Sequence, residues 1–167
     1  MELFGLDLWT WACMGILTVA LGALSVIDFR TGYLPDVIVA PLGLVGLIIA
    51  IVGSPVGVSW QMALVGAAIN AGLFYGLRWL ISRLKGREAM GLGDVKLVAA
   101  GGLWLGPVGL PYIMAVAGVA TLLGAGIAGL ITGKPVWQGE MPLGPGLAIG
   151  ILGVFFAMVG QVGIFAL

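Results

Sequence analysis

Six apolar segments, at residues 8–27, 37–53, 58–80, 94–106, 108–132 and 143–166, take up most of the chain. A helix needs about 20 apolar residues to cross about 30 Å of hydrocarbon, and several of these segments reach that length. The breaks between them are short and rich in turn residues. They are the polar stretch Asp28 to Asp36, the Gly53–Gly57 turn, the charged stretch Ser82 to Met90, Gly106–Pro107, and the stretch from Thr132 to Pro142. A water-soluble fold is excluded by composition, with 61% of the 167 residues hydrophobic and 8% charged. Soluble domains carry roughly 25% charged residues, and a chain this small has too much surface for its volume to hide the excess apolar area. The expected architecture is all-α: one domain over residues 1–167, polytopic, with six transmembrane helices in a lipid bilayer.

The 30 glycines have no three-residue period and are interleaved with Leu, Val, Ile and Ala. Small residues let helix backbones approach closely in lipid. The pairs Gly72/Gly76, Gly102/Gly106, Gly129/Gly133 and Gly146/Gly150 are therefore expected to be packing contacts. Other chemistries drop out. One cysteine, Cys13, and no histidine leave neither a disulfide nor a zinc site, so no metal and no cofactor is expected. A net charge of zero supplies no basic face for nucleic acid. Glu2 and Asp7, with no Lys or Arg before the first apolar segment, do not make the positive start of a cleaved signal peptide. A solvated terminus accounts for both.

All seven basic residues fall on or beside the first, third and fifth loops: Arg30, then Arg78, Arg83, Lys85, Arg87 and Lys96, then Lys134. The positive-inside rule places those loops in the cytoplasm and both termini outside. The segment 94–106 is short, rising roughly 20 Å at about 1.5 Å per residue. If it reaches the outer interface, Asp94 starts below the cytoplasmic surface, in a recess reached by water.

Asp28 ends an inward-running segment and Asp94 begins an outward-running one, so both lie at similar depth near the cytoplasmic boundary. An ionisable residue there is costly and is a functional candidate. Two carboxylates a few Å apart do not both ionise easily. The charged one can activate a water against a peptide carbonyl, and the protonated one can hydrogen-bond the developing oxyanion. The competing reading pairs Asp28 with Arg30 and makes Asp94 an N-cap. Asp36 most simply caps the second helix, or helps recruit a cationic partner. Glu88 sits in a basic stretch and pairs with Arg87 or Lys85. Lys96, two residues after Asp94, either snorkels to the interface or tunes the carboxylates.

The segment Gly86-Arg87-Glu88 through Gly91-Leu92-Gly93-Asp94-Val95-Lys96 and on to Gly106 resembles the GxGD signature of type IV prepilin peptidases. Asp28-Phe29-Arg30 through Leu34-Pro35-Asp36 resembles that family's first aspartate loop. Met141-Pro142-Leu143-Gly144-Pro145 resembles its Pro-x-Gly-Pro loop before the last helix. The likeness runs over residues of roughly 20 to 150, in order. It implies a cytoplasmic-membrane aspartic endopeptidase that removes the short cationic leader of prepilins and pseudopilins on the cytoplasmic side. By position, Asp28 and Asp94 are the catalytic pair, with Gly91, Gly93, Lys96 and Glu88 in support. Gly91 and Gly93 let the Asp94 backbone approach its partner closely. Bifunctional members carry an N-terminal domain with paired CxxC motifs that methylates the new N-terminus. With about seven residues before the first span and no CxxC, a peptidase-only short form is expected.

Three other readings stay open on the residues alone. A signal-peptide-peptidase or presenilin type shares GxGD, but it carries a Tyr-Asp motif where Ile27 precedes Asp28 here. A small proton- or cation-coupled transporter would use the same two aspartates, without an evident inverted repeat. A scaffold without chemistry would leave both replaceable.

Overall fold

The computed structural model describes residues 7–86, 91–132 and 143–165. Those residues form six α-helices: α1 (Leu8–Thr31), α2 (Asp36–Val52), α3 (Trp60–Lys85), α4 (Leu92–Leu105), α5 (Gly109–Thr132) and α6 (Gly144–Phe165). All six expected segments appear as helices, and the polar stretches between them extend or shorten the ends by a few residues. Four helices, α1, α3, α5 and α6, are long and apolar enough to cross a membrane, and α2 is a shorter apolar helix. At 14 residues, α4 is shorter still.

Local chemistry sets the ends. Asp7 caps α1 by accepting the Thr10 N–H at 2.9 Å, a tighter role than the solvated terminus expected of it. The hydrogen bonds that Thr10 donates, from its hydroxyl and its backbone, hold the Asp7 carboxyl below its usual range. Gly32 stops the same helix at φ 65°, a left-handed conformation that favours glycine, and its N–H bonds the Asp28 carbonyl at 2.8 Å. Ser59 caps α3 through the Met62 N–H. Pro35, not Asp36, occupies the N-cap position of α2. Asp36 is the first helical residue and makes no capping bond, so the expectation that it caps this helix does not hold.

At the centre lies α4, packed against α2, α3, α5 and α6. Its buried residues include Val95, Leu97, Val98, Ala100, Gly101, Gly102, Trp104 and Leu105, which cover more than half of its circumference and leave one face, with Lys96, exposed. A helix buried over so wide an arc belongs inside a bundle rather than at its edge. The Trp104 indole N–H reaches the Leu42 carbonyl of α2 at 2.9 Å. Its ring meets Phe155 of α6 edge-on, with centroids 5.7 Å apart. Gly46 makes room for that indole, since a Cβ there would come within 2.5 Å of the ring.

Glycine packing is real but only partly where the GxxxG pairs place it. Gly102 and Gly106 lie against Gly66 of α3, and a Cβ at Gly66 would come within 2.5 Å of the Gly106 carbonyl carbon. On α6, Gly146 sits against the Thr121 hydroxyl of α5, and a Cβ at Gly150 would come within 2.6 Å of the Ile113 carbonyl oxygen. A Cβ at Gly72 or Gly76 would meet no neighbouring group within 4 Å. They are exposed because the packed face of α3 is the row Ala63, Gly66, Asn70 and Phe74, and positions 72 and 76 fall off it. Gly133, and with it the pair Gly129/Gly133, lies outside the described residues. Within that α3 row Asn70 is fully buried and donates to the Val98 carbonyl of α4 at 3.3 Å.

Candidate active site

The buried stripe of α1 runs Thr10, Cys13, Leu17, Leu21, Leu24, Asp28, at spacings of three or four. Asp28 is thus the last member of an apolar row, one turn before the helix ends, and it is 6% exposed. That spacing turns its carboxylate into the bundle, where α6 begins. There Oδ2 accepts the Gly144 N–H at 3.1 Å. The contact is close enough that a Cβ at Gly144 would collide with the carboxylate. The first N–H groups of a helix have no intrahelical partner and carry its positive end, so they suit an anion.

Asp94 lies in the first turn of α4 and is half-buried. Gly91 holds the N-cap position in an extended conformation, and its N–H donates to the Asp94 carboxylate. This is the return half of a capping box, in which a third-position acid reaches back to the cap N–H. Asp94 is therefore not the N-cap of its helix, and it lies within Coulombic range of Asp28. The end of α1 and the start of α4 thus carry the two carboxylates into the same part of the bundle.

The surrounding residues sort clearly. Gly93 packs on Leu34, where a Cβ would come within 2.8 Å of the Leu34 Cβ. Lys96 donates to both oxygens of Asp36, at 2.8 and 2.7 Å, in an ion pair that joins α4 to α2 with both side chains about half exposed (50% and 54%). Arg30 is exposed in the last turn of α1, and among the described residues no ion pair joins it to Asp28. The Asp28–Arg30 pairing expected on the competing reading is replaced by the Gly144 contact. Glu88 lies outside the described residues.

Two participants carried no assigned role in the sequence. Gly144 falls in the Pro-x-Gly-Pro likeness, but a backbone N–H leaves no side-chain signal of its function. Leu34 is 3% exposed, whereas Phe29 and Tyr33 of the same stretch are 76% and 60% exposed. Apolar character alone therefore did not mark it for burial.

A packed bundle of six helices, four of them long and apolar enough to cross a membrane, defines a multi-pass membrane protein, with two carboxylates within Coulombic range of each other. The chain belongs to the type IV leader peptidase family, whose model it matches over residues 15–133, a stretch that includes both aspartates. It is 37% identical over 134 residues to a prepilin leader peptidase/N-methyltransferase of Burkholderia pseudomallei, covering 80% of this chain and 42% of that protein. A type 4 prepilin-like proteins leader peptide-processing enzyme of Escherichia coli O78:H11 is 38% identical over 143 residues, or 85% of this chain and 50% of that one. A prepilin leader peptidase/N-methyltransferase of Neisseria gonorrhoeae is 35% identical over 143 residues, covering 84% and 48%. The chain spans about half the length of the curated relatives it matches. No solved structure gives a significant match.

Proposed function

We propose that this chain is an aspartic endopeptidase of the cytoplasmic membrane that removes the cationic leader from prepilins or prepilin-like proteins. Asp28 and Asp94 are its catalytic pair. The observation that carries this reading is that carboxylates from α1 and α4 lie within Coulombic range of each other, inside the segment that matches the leader peptidase family.

The chemistry asks little else of the protein. One carboxylate, as the anion, takes a proton from water while the water oxygen attacks the peptide carbonyl carbon. The other, holding a proton, hydrogen-bonds the oxygen on which negative charge develops. The tetrahedral intermediate then collapses, the C–N bond breaks, and a carboxyl group delivers its proton to the leaving amine. The two groups share one proton between them, so they titrate as a pair. The Gly144 N–H fixes Asp28 and the Gly91 N–H fixes Asp94, each through one backbone donor that needs no reorganisation during the reaction.

On this reading the whole chain is one peptidase domain with six spans. The loops after α1, α3 and α5 face the cytoplasm, in line with the seven basic residues on or beside them. The active site opens to the same side, where an unprocessed cationic leader is held by the charge asymmetry of the membrane.

Reconstitution with a prepilin in liposomes tests the pair directly. Asp28→Asn and Asp94→Asn keep size and polarity while losing the ionisable group. Each is expected to lose leader removal by about a hundredfold to ten-thousandfold, the range ascribed to one general acid or base. If either variant cleaves at the wild-type rate, the pair is refuted.

A further inference from the structure

The chain that follows Asp28 is fastened to the turn that carries Asp94 at two points. Asp36 is only eight residues beyond Asp28. In that interval α1 stops at Thr31, Gly32 reverses the chain, and Pro35 starts α2. The first fastening is apolar: buried Leu34 sits where Gly93 lacks a side chain, 2.8 Å from where a Cβ would be. The second is ionic: the Asp36 carboxylate accepts from the Lys96 ammonium through both oxygens. On α4 the two anchors are Gly93 and Lys96, and Asp94 lies between them.

We propose that this strap is a positioning device, in which Asp36 and Lys96 set the approach of Asp94 to Asp28. The inference rests on the reading of those two aspartates as the catalytic pair. The far half of α4 is already held to α2 by Trp104, through the Leu42 carbonyl and the groove at Gly46. The end that bears Asp94 is different. It opens with Gly91-Leu92-Gly93, and its N-cap residue supplies no side-chain hydrogen bond. Glycine gives up more conformational freedom on ordering than any other residue, so such a turn needs an external restraint to hold one geometry. The ion pair supplies that restraint two residues from the reacting carboxylate. Residues two apart on a helix do not face each other, so Lys96 acts on Asp94 through backbone position rather than by its charge.

A half-exposed ion pair adds little to global stability, so variants of it are expected to fold. Its effect belongs in the chemical step, where a misplacement of about 1 Å costs up to a hundredfold. Steady-state leader removal is measured in liposomes for Lys96→Met, Asp36→Asn and the exchanged pair Asp36→Lys/Lys96→Asp, with detergent melting curves as the check on folding. Each single variant is expected to lose about tenfold or more in kcat with KM nearly unchanged, and the exchanged pair to recover most of that loss. Wild-type kcat in both single variants overturns the proposal, as does an exchanged pair no better than either single variant. A rise in KM alone for Asp36→Asn, with kcat kept, also overturns it and makes Asp36 a receptor for the cationic leader. Asp28→Asn and Asp94→Asn run alongside. If they are inactive while Lys96→Met is unimpaired, only the strap fails; if they are active, the catalytic pair itself fails.

Discussion

Gly144 has no side chain, yet it is the residue on which the geometry of Asp28 turns. Its N–H meets Oδ2 at 3.1 Å, and the space a methyl group would need is filled by the same carboxylate. Gly144→Ala is therefore expected to displace Asp28 and to lower leader removal by about tenfold to a hundredfold, whereas Pro145→Ala, one position on, leaves it near wild type. A cleavage time course in liposomes decides between them, and full activity in Gly144→Ala would show that the contact is dispensable. Asp7 makes a separate, pH-dependent prediction. Its folded-state carboxyl is lowered by the Thr10 hydrogen bonds, so its contribution to α1 is complete above the ordinary carboxylate value and is lost as pH falls through the lowered one. An NMR titration of the Asp7 carboxyl in micelles should place its midpoint below that of a free aspartate, and Thr10→Ala should move it back up. At this scale the sequence was informative about charges and silent about backbone. Asp28 and Asp94 stood out because carboxylates are rare in apolar runs. Gly144 did not, because an N–H is common to every residue but proline.

At the scale of the helix, the six elements were legible because apolar length is a strong signal and each break carries glycine, proline or charge. Helix ends and helix faces were not. Asp36 reads as a cap in sequence, but the residue before it takes that position and leaves its carboxylate to Lys96. A GxxxG pair states that two small residues share a helix face, not that a neighbour lies on that face. Gly66 belongs to none of the four pairs, yet it is the α3 residue on which Gly102 and Gly106 pack. Gly66→Ala puts a methyl against backbone that cannot rotate away, and is expected to destabilise the bundle by about 1–3 kcal/mol. Gly72→Ala meets open space and is expected to be neutral, or stabilising by up to about 1 kcal/mol through helix propensity. Unfolding by graded SDS addition measures both. Equal effects would mean that α3 does not pack through this row.

For the whole molecule, the proposed orientation can be read with thiol probes because the native background is low: Cys13 is the only cysteine and is 1% exposed. Tyr33→Cys after α1 and Val108→Cys before α5 both stand at exposed positions, 60% and 69%. A membrane-impermeant maleimide is expected to label the first only from the cytoplasmic side and the second only from the outside. Labelling of both from one side would refute the six-span topology. Asp94→Cys is expected to react from the cytoplasmic side more slowly than Tyr33→Cys, as a half-buried position should. The bundle is also uneven in height. At about 1.5 Å per residue, the 17 residues of α2 span roughly 26 Å and the 14 of α4 roughly 21 Å, while a bilayer core measures about 30 Å. On the proposed six-span reading, lipid beside the exposed face of α2 thins or bends to cover that shortfall. On the proposed reading, a prepilin anchored in the same leaflet then meets a doorstep: on this flank its scissile bond has less hydrocarbon to leave before it reaches the aspartates.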